Sequence, residues 1–145
     1  MNRGWLFGLV VSSLGFAACR DSEPAAPSKA SVAGYYEATT FELRYQYPAT
    51  APPVVTDVIA TGGSFTFTLG ADGAVVGNVT IPTERVDFTF RGGTWSLDGD
   101  TVVFGGIPGT GSFIEGLVFT VARRSLLLDH DIDAVYHMKA TLVKR

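Results

Sequence analysis

Cysteine occurs once in this 145-residue chain and histidine only twice. A single cysteine excludes a disulfide within the chain, and two histidines leave little from which to build a Cys/His metal site. Basic residues are also scarce: 11 Lys and Arg stand against 14 Asp and Glu, a formal net charge of -3. Nucleic-acid binding relies on a basic surplus that neutralises phosphates, so this balance argues against that partner. Charged residues make up 17% and hydrophobic ones 46%, too apolar a mixture for intrinsic disorder. The apolar run Trp5–Phe16 falls short of the ~20 residues that a spanning helix needs. No internal repeat is visible, which disfavours propellers and solenoids. Catalytic patterns are missing too. There is no Gly-x-Ser-x-Gly, and the Gly-rich stretch Gly105–Gly111 lacks the Lys-Ser/Thr end of a phosphate loop. The expectation is a protein that is not an enzyme and carries no cofactor.

The N-terminus has the layout of an export signal. Arg3 supplies a positive start, Trp5–Phe16 an apolar core, and Ala17 and Ala18 a small-residue exit before Cys19. The run Phe16-Ala17-Ala18-Cys19 resembles the bacterial lipobox. That resemblance implies cleavage before Cys19, so that residues 1–18 are a signal peptide, and acylation of the Cys19 thiol. Each buried methylene contributes ~0.8 kcal/mol, so two or three acyl chains would hold the protein to a membrane. Arg20 follows the cysteine where an inner-membrane retention signal would place Asp, and the resemblance therefore implies the outer membrane of the cell envelope. Arg20–Ser31 contains no aromatic or branched aliphatic residue, two prolines and mixed charges. It reads as a flexible tether reaching roughly 20 Å. The expected division is thus residues 1–18 as signal, 19–31 as lipidated cysteine and tether, and 32–145 as the folded domain.

Within 32–145 the dominant signal is alternation with a period of two. Phe65-Thr66-Phe67-Thr68-Leu69, Val86-Asp87-Phe88-Thr89-Phe90-Arg91 and Thr94-Trp95-Ser96-Leu97 each place apolar side chains on one face and polar ones on the other. Ala71-Asp72-Gly73 and Leu97-Asp98-Gly99-Asp100 punctuate them with turn-forming Asp-Gly pairs. The predicted strands are Tyr35–Tyr47, Val54–Ala60, Ser64–Leu69, Ala74–Thr80, Arg85–Arg91, Thr94–Leu97, Thr101–Phe104, Phe113–Ala122, Ser125–Asp129 and Val135–Val143. Gly92-Gly93 either bulges one strand or separates two, which leaves eight to ten strands in an all-β barrel or sandwich. A helix within Val121–Ala140 is the alternative to strands after Gly116. Strands are preferred because Phe119-Thr120-Val121 is β-favouring.

Three stretches carry a family likeness. Gly34-Tyr35-Tyr36 resembles the Gly-x-Trp opening of lipocalins, with Tyr36 in the tryptophan's place. Phe65–Gly73, Gly93–Val102 and the closing Leu142-Val143-Lys144-Arg145 are similar to small bacterial lipocalin-like lipoproteins. The resemblance implies an antiparallel up-and-down barrel with first and last strands adjacent, a β-sandwich being the runner-up. It also implies that Lys144 or Arg145 packs over Tyr36.

Two candidate sites follow. The expected inward-facing aromatics, Phe65, Phe67, Phe88, Phe90, Trp95, Phe104 and Phe119, either fill the barrel or line a pocket for a small apolar ligand. Arg91 and Glu84–Arg85 would then stand at the pocket mouth. The acidic run Asp129-His130-Asp131-Ile132-Asp133 has the start of a calcium loop, but Ala134 and Ala140 hold the positions where that loop needs Gly and Glu. It reads as a solvated hairpin turn, with no metal, and nothing places a partner beside His130. The expected function is therefore a membrane-tethered binding module for an apolar ligand. The alternative is a structural or interaction lipoprotein with a filled barrel. Labelled palmitate should be incorporated by the wild-type protein and not by Cys19→Ala, whose precursor should keep residues 1–18 by mass spectrometry.

Overall fold

The computed structural model of the protein describes residues 25–109 and 113–145, so Cys19 and the expected signal peptide lie outside the described residues. Among the described residues nine strands follow one another: β1 (Gly34–Tyr45), β2 (Val54–Asp57), β3 (Ser64–Leu69), β4 (Ala74–Ile81), β5 (Val86–Asp98), β6 (Thr101–Gly105), β7 (Val118–Ala122), β8 (Ser125–Asp131) and β9 (Tyr136–Lys144). All neighbours pair antiparallel, and β9 returns to pair with β1. The result is a closed eight-stranded barrel, β1-β3-β4-β5-β6-β7-β8-β9, with β2 as an additional strand on β1. The up-and-down barrel expected from the alternation is the fold observed, compatible with a lipocalin-like architecture, and the first and last long strands are adjacent as expected.

The alternation works as the pattern requires. Phe65, Phe67 and Leu69 point inward and are buried, whereas Thr66 and Thr68 lie on the outer side. Gly92-Gly93 bulges one strand and does not divide two. Val75 pairs with Gly93 and Gly77 with Phe90, so β5 carries an extra residue at Gly92, whose φ of 79° suits glycine. Gly77 is needed for a different reason: a Cβ there would stand 2.4 Å from both Phe90 Cζ and the Thr66 carbonyl oxygen. The region after Gly116 is β7, β8 and β9, with no helix over Val121–Ala140.

Three boundaries depart from the expectation. Val54–Ala60 is cut short at Asp57, because Val58 turns inward, is fully buried and donates its N–H to the Phe41 carbonyl at 2.8 Å. Phe113–Leu117 is not strand: Ile114 is buried in a turn that ends at Gly116, φ 85°, and Leu117 is buried directly after it. The last residues of the stretch expected to be a tether are structured. Lys29–Val32 forms one helical turn, α1, held by a reciprocal Ser28/Ser31 capping box, and Val32 is buried.

This turn seals one end of the barrel. The Tyr36 hydroxyl donates to the Val32 carbonyl at 2.7 Å, and Lys144 Nζ donates to the Ser31 carbonyl at 2.8 Å. Tyr36 and Lys144 are register partners on β1 and β9, so Lys144 is the basic residue that meets the first-strand aromatic position, while Arg145 pairs with Glu37 at 3.0 Å. Trp95 completes this end, its indole N–H donating to the Gly70 carbonyl at 2.8 Å beneath the Lys29 ammonium, 5.2 Å from the ring.

The interior is packed with aromatic rings. Phe67 is its hub, with ring centroids of Tyr36, Phe65, Phe104 and Phe119 at 5.6, 5.4, 5.0 and 5.4 Å. No polar or charged residue is buried among the described residues, and every core side chain lies between Val32 and Leu142. A chain starting at Arg20 therefore retains all of these core side chains.

Removing the hub should cost about 3–5 kcal/mol in Phe67→Ala, measured by urea unfolding, whereas exposed Val118→Ala should stay within about 0.5 kcal/mol of wild type. Burial holds the Tyr36 phenol above its ordinary value of 10.0. Only the protonated phenol donates to Val32, so the folded state binds this proton more tightly than the unfolded chain. Its stabilisation is complete below pH 10 and falls as pH rises toward the raised folded value. Tyr36→Phe should flatten that alkaline decline in the urea midpoint.

Candidate functional site

The two ends of the barrel are built differently. At the sealed end the strands are joined by residues 70–73, Gly99-Asp100 and Arg123-Arg124, all short. At the open end the connections run through 46–53, 58–63, 82–85, 106–117 and 132–135. The longest of these folds inward. Ile107, Ile114 and Leu117 are buried, and the Ile107 N–H donates to Glu115 Oε1 at 2.7 Å.

Beside it lies an apolar basin of about 280 Å³, open to solvent and lined by Leu43, Ile81, Val86, Phe113, Ile132, Tyr136, Met138 and Glu84. Each wall has a local cause. Leu43 and Met138 are register partners on the inner faces of β1 and β9. Ile81 and Val86 pair across the β4–β5 hairpin, whose 3₁₀ turn, Pro82–Glu84, places the Glu84 carboxylate at the rim. The β8–β9 turn is fixed by Asp133, which accepts the N–H groups of Val135 and Tyr136 at 2.8 Å each. Tyr136 then leans on Tyr45, ring centroids 5.0 Å apart, and its hydroxyl donates to Glu84 Oε2 at 3.3 Å. Burial, then the Glu84 charge and this hydrogen bond, then Tyr45 and Asp133, together hold the Tyr136 phenol above its ordinary range.

The expected pocket aromatics sit elsewhere. Phe65, Phe67, Phe90, Phe104 and Phe119 are buried against one another, and Trp95 closes the sealed end. Half-buried Phe88 meets Phe113 at 6.1 Å and so connects the core to the basin. None of the seven lines the basin, which lies above the packed rings. Of the residues expected at a pocket mouth, Glu84 is there. Arg85 and Arg91 are exposed outside it.

The acidic run divides between strand and turn: Asp129, His130 and Asp131 end β8, and Asp133 shapes the turn. A second histidine is the one with partners. His137 Nδ1 lies 2.7 Å from Asp131 Oδ1 and its Nε2 lies 3.2 Å from Asp129 Oδ1. The register Asp131↔His137 makes this clamp, and a four-residue turn after Asp131 is the signal that foretells it. Among the described residues no group of three His, Cys, Asp or Glu side chains is arranged to hold a metal ion. No helix among them is long and apolar enough to cross a membrane.

A scan against protein-family profiles, a search of curated proteins and a search of solved structures found no match to this chain. The functional reading therefore rests on the basin itself.

Proposed function

We propose that this protein is a lipid-anchored, lipocalin-like binding module of the bacterial cell envelope, acting by binding and not by catalysis. Its ligand is a small apolar molecule held at the open end of the barrel. The observation that carries this reading is the basin: seven apolar or aromatic walls and one carboxylate converge there, while the opposite end is sealed. Pockets for small molecules have this composition, largely apolar with a few polar groups that orient the ligand. The volume of about 280 Å³ suits one ring or a short hydrocarbon segment and not a long chain enclosed along the barrel axis. The described chain enters at the sealed end, so an anchor at Cys19 in the outer membrane would leave the basin facing away from the bilayer.

One observation favours the second reading, an interaction or structural lipoprotein. The barrel interior is filled, and Tyr47, Val54 and Val55 stand exposed at the open end, 57–68% accessible, as a surface for a protein partner.

Met138 lines the basin and is the only methionine after Met1, so its labelled methyl gives one NMR signal. Titrating the Arg20–Arg145 chain with phenylbutanol should move that signal and leave Trp95 fluorescence, at the sealed end, unchanged. Ile132→Glu should weaken binding by about tenfold or more, because an ionised group in an apolar wall opposes an apolar ligand. A Met138 signal that stays still throughout, with no co-purifying mass in native spectra, would leave the partner reading in its place.

A further inference from the structure

The rim of the basin is electrically one-sided. Glu84 is the only charged residue among its described lining residues, and no Lys or Arg is among them. Arg44 and Arg85 are not among the lining residues. Arg44 belongs to the outer hollow with Asp131 and His137 and donates to Gln46 Oε1 at 3.1 Å. Asp133 adds a second carboxylate close to the Tyr136 ring, fixed by the two N–H groups it accepts. Glu84 itself is exposed, and its Oε2 holds the Tyr136 hydroxyl hydrogen. A carboxylate accepts through both oxygens, so acceptor capacity remains for a ligand donor at the point where the apolar wall ends.

Resting on the binding reading above, we infer that the ligand class is an apolar body bearing a cationic or hydrogen-bond-donating head, an amphiphilic amine above all, with Glu84 as the residue that selects it. The apolar body occupies the walls formed by Leu43, Ile81, Val86, Phe113, Ile132 and Met138, and the head sits at the Glu84–Tyr136 pair. A charge-assisted contact between an ammonium and Glu84 favours such a ligand. A fatty acid of the same body meets a like charge and finds no basic group in the lining. Tyr136 is a positioning residue: its hydroxyl fixes one oxygen of Glu84 and so orients the other. The Tyr136 phenol pKa is raised first by burial and then by the Glu84 charge and hydrogen bond, which agrees with this picture.

Three probes that share one body separate the possibilities: phenylbutylamine, phenylbutanol and phenylbutyrate, each titrated into the Arg20–Arg145 chain at neutral pH and low salt and read at the Met138 methyl. The amine should bind roughly tenfold tighter than the acid, with the alcohol between them, and the gap should shrink as salt is added. Glu84→Gln should bring all three within about twofold of one another, and an unshifted Met138 methyl signal in the ligand-free variant checks that the basin is intact. Equal affinities in the wild type, or tighter binding of the acid, would overturn the inference and leave the binding reading standing. No response to any probe, the alcohol included, would overturn both.

Discussion

The pairing of β1 with β9 is the constraint on which the rest of this fold depends. It joins Tyr36–Tyr45 to Tyr136–Lys144, segments about a hundred residues apart, and it turns a nine-stranded sheet into a closed barrel. Contacts this distant carry a loop-closure cost that local hairpins do not. They are rewarded because closure encloses the inner faces of every strand at once. Phe67 can touch Tyr36 on one side and Phe104 and Phe119 on the other only when the sheet has come full circle. The sealed end depends on the same join. Tyr36 and Lys144 are opposite one another across it, and each holds the α1 turn through a backbone carbonyl.

The strands were legible because alternation is a local signal and this chain states it plainly. Phe65-Thr66-Phe67-Thr68-Leu69 can bury a face only as a strand, and Asp-Gly pairs mark where such strands turn. What escaped was decided by distant partners. Val54–Ala60 opens with three β-branched residues, yet the strand stops at Asp57 because Val58 turns inward and bonds to the Phe41 carbonyl. Phe113–Leu117 has a strand-like composition, but its residues serve as cover for the open end. The α1 turn is too short to show a helical period, and only the Ser28/Ser31 spacing betrays it.

The candidate site was less legible, for a reason of scale. An eight-stranded barrel has an interior only wide enough for its own side chains or one small ligand. The aromatic abundance that suggested a pocket is the material that fills it, and the available space moves to the rim. There the walls come from separate segments, Leu43, Ile81, Val86, Phe113, Ile132, Tyr136 and Met138, whose nearness exists only after closure. Glu84 could be placed at the mouth from its position between two strands. His137 is matched with Asp131 only through the β8–β9 register, which rests on placing the four-residue turn after Asp131.

Both described ends of the chain lie at the sealed side, since the Arg145 N–H reaches the Tyr35 carbonyl and α1 precedes β1. Tension drawn along the segment before Ser28 therefore loads the Lys144–Ser31 and Tyr36–Val32 hydrogen bonds and the packing of Val32 before it reaches any strand. Leu43, the β1 residue in the basin wall, lies nine residues beyond Gly34, so at roughly 3.3 Å per residue the basin is about 30 Å along the strand from that point of load. Under such a pull the α1 turn would give way at the base before the mouth of the barrel changed shape.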